Sequence, residues 1–191
     1  MDKLTVGFAI CGSFCTFKKI TEQLEYLKSR DIEIVPIMSF NAFSTDTRFG
    51  KASEHIERIE AFCGRKVIKT IEDAEPLGPK EKLDMLIICP CTGNTLAKLA
   101  LGVTDTPVTM AAKAHLRGDR PLLIALATND GLSANLSNLN AMQKRKSVYF
   151  VPLRQDDPEM KPHSLVCDFE KLGEAFYAAI RREQLRPLFL N

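Results

Sequence analysis

The densest group of residues able to meet a ligand is Cys89-Pro90-Cys91-Thr92-Gly93-Asn94-Thr95, which closes an apolar run and opens a helix expected from Asn94 to a stop at Gly102. Backbone amides at such a junction face outward and favour phosphate or another anion. Pro90 restricts the turn, Gly93 lets a flat ring approach the backbone, and Asn94 or Thr95 offers both a helix cap and ligand contacts. Two shorter groups read the same way. Gly12-Ser13-Phe14-Cys15-Thr16 combines a small residue with hydroxyls, and Ser39-Phe40-Asn41-Ala42-Phe43-Ser44 supplies a hydroxyl and an amide. Taken alone, either is also explained by a simple helix cap or an ordinary loop. Cys91 reads as a small ligand-contacting residue or as a thiolate nucleophile activated by the helix amides, although the spacing places no base beside it. Glu75 and Asp130 suit a substrate contact or an exposed loop, while Lys113, His115 and Arg117 suit a dicarboxylate or a solvated helix.

These groups follow apolar stretches at 4–11, 32–39 and 83–89; further stretches lie at 122–127 and 147–151, with a weaker one at 66–71. Such runs fit strands buried on both faces of a parallel sheet. Helical stripes alternate with them: Phe17, Ile20, Leu24 and Leu27; Ile56, Ile59 and Cys63 before Gly64; Leu132, Leu136, Leu139 and Met142; and Phe169, Leu172, Phe176 and Ile180. The alternation predicts an α/β fold, a three-layer Rossmann-like doubly wound parallel sheet of about six strands, in one domain over 1–191. Ligands then bind beyond the carboxyl ends of the strands, where the three polar groups fall. Residues 156–162 read as an exposed loop or arm.

A formal charge of +2 with scattered basic residues argues against a nucleic-acid partner. The absence of a signal region or a bilayer-length apolar run places the chain in the cytoplasm, away from membranes. None of the six cysteines has C-x-x-C spacing, so reduced thiols and no metal site are expected.

Pro90-Cys91-Thr92-Gly93-Asn94-Thr95 resembles the P-A-S-A-N-T signature of the homo-oligomeric flavin-containing cysteine decarboxylase (flavoprotein) superfamily. The resemblance extends through Leu96 to Ala100, Gly102, Asp105 and Thr109, and to Asn129, which matches the Asn of a P-x-M-N segment. It implies that FMN is the cofactor. Gly12, Ser13 and Ser39 would hold its phosphate; Pro90, Cys91, Thr92, Asn94 and Thr109 would flank its ring system, with Asn129 nearby. Superfamily members are commonly trimers or dodecamers built from trimers, which implies a homo-oligomer.

Within that superfamily the chain is similar to the family of dipicolinate synthase B subunits. The resemblance is carried by Asp73-Ala74-Glu75-Pro76-Leu77-Gly78-Pro79, residues 106–117, Thr128-Asn129-Asp130-Gly131-Leu132, Tyr149-Phe150-Val151-Pro152 and Gln155-Asp156-Asp157-Pro158. It implies oxidation of a dihydrodipicolinate precursor, a small dicarboxylate, to dipicolinate in the mother cell of a sporulating bacterium. The partner would be the A subunit of dipicolinate synthase, carrying NAD(P). The decarboxylases' active-site histidine has no counterpart between Asp73 and Lys82, and Thr128-Asn129-Asp130-Gly131 lacks the basic residue of flavin prenyltransferases. His55 and His115 read as surface or core residues, and His163 as one able to reach a neighbouring site. No catalytic residue is assigned. A non-catalytic assembly subunit without flavin and a flavin-dependent decarboxylase remain as alternatives.

Overall fold

The computed structural model describes residues 3–190; Met1, Asp2 and Asn191, the ends of the expected domain, lie outside the described residues. In chain order the elements are β1 (Thr5–Ile10), α1 (Phe17–Lys28), β2 (Glu33–Met38), α2 (Phe40–Ser44), α3 (Ala52–Cys63), α4 (Ile71–Ala74), β3 (Met85–Cys91), α5 (Gly93–Leu101), α6 (Pro107–Leu116), β4 (Leu122–Thr128), α7 (Leu136–Gln143), β5 (Val148–Phe150), β6 (Leu153–Arg154), β7 (Leu165–Cys167) and α8 (Leu172–Ile180). Strands β2, β1, β3, β4 and β5 run parallel in that spatial order. Phe8, Ile10, Ile87, Ile88 and Ile124 are fully buried within the sheet, as runs covered on both faces require. Helices α1, α3 and α8 cover one face, where Phe17 of α1 meets His55 of α3 edge-on and α1 packs on α8. On the other face α5 packs on α6 and α7, and α4 packs on α6.

The weak stretch at 66–71 survives as a single parallel bridge, Ile37 to Ile68, beside β2. A short antiparallel pair is added at the opposite side: β7 pairs with the last two residues of β4, and β6 pairs with β7. The outer edge of β4 is therefore shared, its first half by β5 and its end by β7. The stripe starting at Leu132 becomes helical only from Leu136, because Ser133 and Asn135 first turn back to donate amides to the Asp130 carbonyl. Leu136 is 40% exposed, while Leu139 and Met142 hold the core face. Gly64 and Gly102 end α3 and α5 in left-handed conformations (φ 69° and 73°), which a residue without Cβ adopts at little cost.

Helix α6 begins with a reciprocal cap. The Thr106 hydroxyl accepts the Thr109 amide, the Thr109 hydroxyl accepts the Thr106 amide (both 3.1 Å), and Pro107 occupies the first turn. Thr106→Ala is expected to lower stability by about 1 kcal/mol, read as a shifted midpoint in urea denaturation with an unchanged slope. Among the described residues, no helix is long and apolar enough to cross a membrane.

Candidate functional site

The carboxyl ends of β1, β2 and β3 are tied together: the Ser39 amide donates to the Ile10 carbonyl (2.9 Å) and the Cys11 amide to the Pro90 carbonyl (3.2 Å). This places Gly12, Ser39 and Thr92 at one rim. Between Ile88 and Cys91 strand β3 advances three residues while β4 advances two, a bulge spanning the cis Cys89–Pro90 bond. Bulges re-aim the residues beyond them, and here Thr92 leaves the sheet to start α5. Two cavities meet at Gly12 and Thr92. One, of about 200 Å³, lies toward Ser39, Asn41, Asn94 and Thr106. The other, of about 310 Å³, lies toward Ser13, Thr128, Asn129, Asp156 and Lys161.

Six of the nine expected ligand residues thus line one crevice: Gly12, Ser13, Ser39, Thr92, Asn94 and Asn129. The other three do not face it. Pro90 and Cys91 are the last residues of β3, and Cys91 has no exposed surface. Thr109 is 1% exposed and spends its hydroxyl on the α6 cap, so it supports Thr106, which does reach the crevice. Ser39 caps α2 by accepting the Ala42 amide at 3.3 Å, leaving its O–H proton for a ligand. The cap of α5 is Thr92, whose hydroxyl accepts the Thr95 amide at 3.3 Å, in place of the expected Asn94 or Thr95. Freed of capping, the Asn94 side chain is exposed in the crevice.

Gly93 also has a different reason for its size. A Cβ there would lie 2.5 Å from Thr128 Oγ1, 2.6 Å from Asn135 Nδ2 and 2.9 Å from Asp130 Oδ1. These groups form one network: the Thr128 hydroxyl donates to Asp130 at 2.5 Å, and the Asn135 amide donates to both carboxylate oxygens at 3.0 and 2.9 Å. Asp130 is thereby a structural acceptor that locks the turn after β4 beside the start of α5. Gly93 is filled by the chain itself, whatever ligand lies beyond.

Burial pushes the Cys91 thiol well above its ordinary value, and neighbouring Cys11 is pushed up to about 11, mainly by burial with partial relief from the Thr95 hydroxyl. Both are neutral thiols near neutral pH, which removes the nucleophile reading of Cys91. His55, on α3, packs its ring against Phe17 of α1, and His115 is fully buried with its Nε2 donating to the Pro121 carbonyl at 2.9 Å. Lys113 and Arg117 line a separate cavity of about 370 Å³ with Arg145. Sequence reasoning did not single out Asp156, Lys161 and Ser164 as crevice residues; only the β6–β7 pairing brings them over the far cavity. Among the described residues, no group of three or more His, Cys, Asp or Glu side chains gathers as a metal site.

The Flavoprotein family model matches residues 1–181. The B subunit of dipicolinate synthase from Bacillus subtilis (strain 168) is 42% identical over 186 residues, covering 97% of this chain and 93% of that protein. The crystal structure of the B subunit of dipicolinate synthase from Bacillus halodurans C superposes with a TM-score of 0.90 at 38% identity, over 100% of this chain and 99% of that one. The FMN-dependent cysteine decarboxylase SpaF shares the fold with a TM-score of 0.69 at 22% identity, over 93% and 95% of the two chains. With a parallel sheet, a crevice at its carboxyl end and this extent of likeness, the chain belongs to the Flavoprotein family, as a homologue of the B subunit of dipicolinate synthase.

Proposed function

We propose that the chain binds FMN across the paired cavities and acts, with a separate A subunit carrying NAD(P), in the oxidation of dihydrodipicolinate to dipicolinate during sporulation. The observation that carries this reading is that Gly12 and Thr92 line both cavities, which sets them side by side at the strand ends where helix and loop amides converge. The donor set fits the group. Ser39 and Asn94 have uncommitted donors at one end, Ser13 offers a hydroxyl, and Gly12 keeps the floor low between Asn41 and Phe14. Homo-oligomers, trimeric or dodecameric, in the mother-cell cytoplasm complete the proposal.

Aromatising a dihydropyridine dicarboxylate removes two electrons and two protons, as a hydride and a proton. FMN supplies a hydride acceptor of the required kind. The chain's part is to hold and orient: Ser39 and Asn94 fix one end of the nucleotide, while Ser13, Thr128, Asn129 and the 156–164 segment wall the far end. A visible spectrum of the purified chain with identification of the released nucleotide tests cofactor binding. FMN-depleted chain should give little dipicolinate with the A subunit, and added FMN should restore the rate. Equal product formation without flavin defeats the redox role. Asn94→Ala is expected to weaken FMN about tenfold, the scale of one lost hydrogen bond, as measured by quenching of flavin fluorescence.

One observation favours a second reading, a flavin-free assembly subunit. Among the described residues, no histidine lines either cavity, and Cys91 is buried and neutral; the thiol that does line the far cavity is the exposed Cys15. This reading predicts that Asn94→Ala leaves the activity of the two-subunit enzyme untouched. A flavin decarboxylase, by contrast, requires carbon dioxide release from a cysteinyl substrate without any partner.

A further inference from the structure

The segment between β6 and β7 is an ordered arm. Gln155 donates to the Pro162 carbonyl (2.9 Å), the Met160 amide to Asp157 Oδ1 (3.1 Å) and the Lys161 amide to the Asp157 carbonyl (2.8 Å). Its far end is anchored to the sheet: Ser164 donates to the Thr128 carbonyl (3.2 Å), and the Leu132 amide to the His163 carbonyl (2.9 Å). The arm therefore holds Lys161 at a fixed height above the cavity walled by Ser13, Thr128 and Asn129.

Among the described residues that line the cavity, Lys161 is the one cation. Its counter-ion in the resting chain is Asp156, with Nζ 3.1 Å from Oδ2, on the same arm. That exposed pair contributes little stability, and it leaves two of the three ammonium donors for another anion. Lys98, Lys113 and Arg117 do not serve this cavity. Lys98, in the neighbouring cavity, is paired with both Asp105 oxygens at 2.9 and 2.8 Å, and Lys113 and Arg117 line a different cavity. The Thr128 and Ser164 hydroxyls on the wall donate within the chain, and Ala127, Leu165 and Val166 add apolar surface, so a planar ring carrying carboxylates has one charge partner and the Ser13 hydroxyl and Asn129 amide as neutral donors.

We infer that Lys161 binds a carboxylate of the substrate and sets the preference for dicarboxylates, with Asp156 holding the ammonium over the cavity until the ligand arrives. This rests on the crevice being the substrate site proposed above. The Asp156 carboxylate keeps the Lys161 ammonium above its ordinary pKa, so it is charged throughout the neutral range.

The test uses the full chain saturated with FMN. Binding of pyridine-2,6-dicarboxylate and of the neutral pyridine-2,6-dicarboxamide is titrated by calorimetry on wild type, Lys161→Met and Lys161→Arg. Lys161→Met is expected to weaken the dicarboxylate about tenfold or more, the scale of a charge-assisted hydrogen bond, without changing diamide or FMN affinity. Lys161→Arg should retain most of the dicarboxylate affinity. An unchanged dicarboxylate affinity in Lys161→Met overturns the assignment alone, as does an equal loss for the diamide or a parallel loss of FMN. Failure of the wild-type, FMN-loaded chain to bind the dicarboxylate overturns both the assignment and the substrate reading of the crevice.

Discussion

Gly93→Ala is expected to cost about 3 kcal/mol of stability and to weaken FMN binding at least tenfold. The added Cβ would meet Thr128, Asn135 and Asp130 side-chain atoms at 2.5–2.9 Å. Isolated side-chain tips could turn aside at little cost, but these three are bonded to one another, and Asn135 is only 7% exposed. Relief for one requires all three to move. That movement breaks hydrogen bonds to a carboxylate, each on the scale of about 1.5–3 kcal/mol. It also shifts Thr128, whose neighbours wall the far cavity, against the start of α5. Urea denaturation and FMN titration on the same preparations check both effects. Stability and affinity within experimental scatter of wild type would show that the network adjusts freely, and the account of Gly93 would fail.

The second large effect is a loss of stability in mild acid. His115 is fully buried; Nε2 donates to the Pro121 carbonyl, and Nδ1 has no partner. Burial lowers its pKa from 6.5 to about 4, opposed by the Pro121 contact and assisted by Arg120 and Arg182. Because the folded value lies below the unfolded one, the unfolded chain binds the proton more readily between them. The contribution is fully present above about pH 6.5 and is lost as pH falls toward 4, a change of about 3 kcal/mol. His55, also lowered chiefly by burial, adds to the same trend. Denaturation midpoints at pH 7.5, 6.5, 5.5 and 4.5 should fall steadily for wild type and much less for His115→Gln, which keeps a donor for Pro121. Identical pH profiles would remove His115 as the cause.

The parts of this molecule that were legible in its sequence are those where one physical requirement dominates. Burial on both faces makes β1 to β4 continuous apolar runs, and left-handed ends demand Gly64 and Gly102. The crevice was legible for the same reason, since polar residues that interrupt such runs fall at strand ends. Its details were not. Thr92, Asn94 and Thr95 all cap helices well, and only the bulge in β3 decides that Thr92 does so and Asn94 faces the crevice. Cys91 shares the motif's polar neighbourhood in the chain, but it is the last residue of β3, a strand buried at every position, and so lies in the core. Strands β6 and β7, of two and three residues, carry no periodicity, so the arm bearing Lys161 had no visible anchor. The expected 132–142 stripe failed at its start because Asp130 draws the chain into a turn before helix geometry can begin.

The split edge of β4 also bears on how the chain behaves at high concentration. A long bare strand at a sheet margin templates fibrous stacking. Here that margin ends in β5, three residues long, and in β6, two residues long and itself bridged from Leu153 to Phe189. The opposite margin, β2, is touched by Ile68 near its end and opens with Glu33, held 3.1 Å from Arg65. Both rims of the sheet are thus short, covered or charged, and they give an added strand little to pair with. Copies that associate must meet through side chains on helices and loops, so assembly can remain compatible with an open crevice instead of running on into filaments.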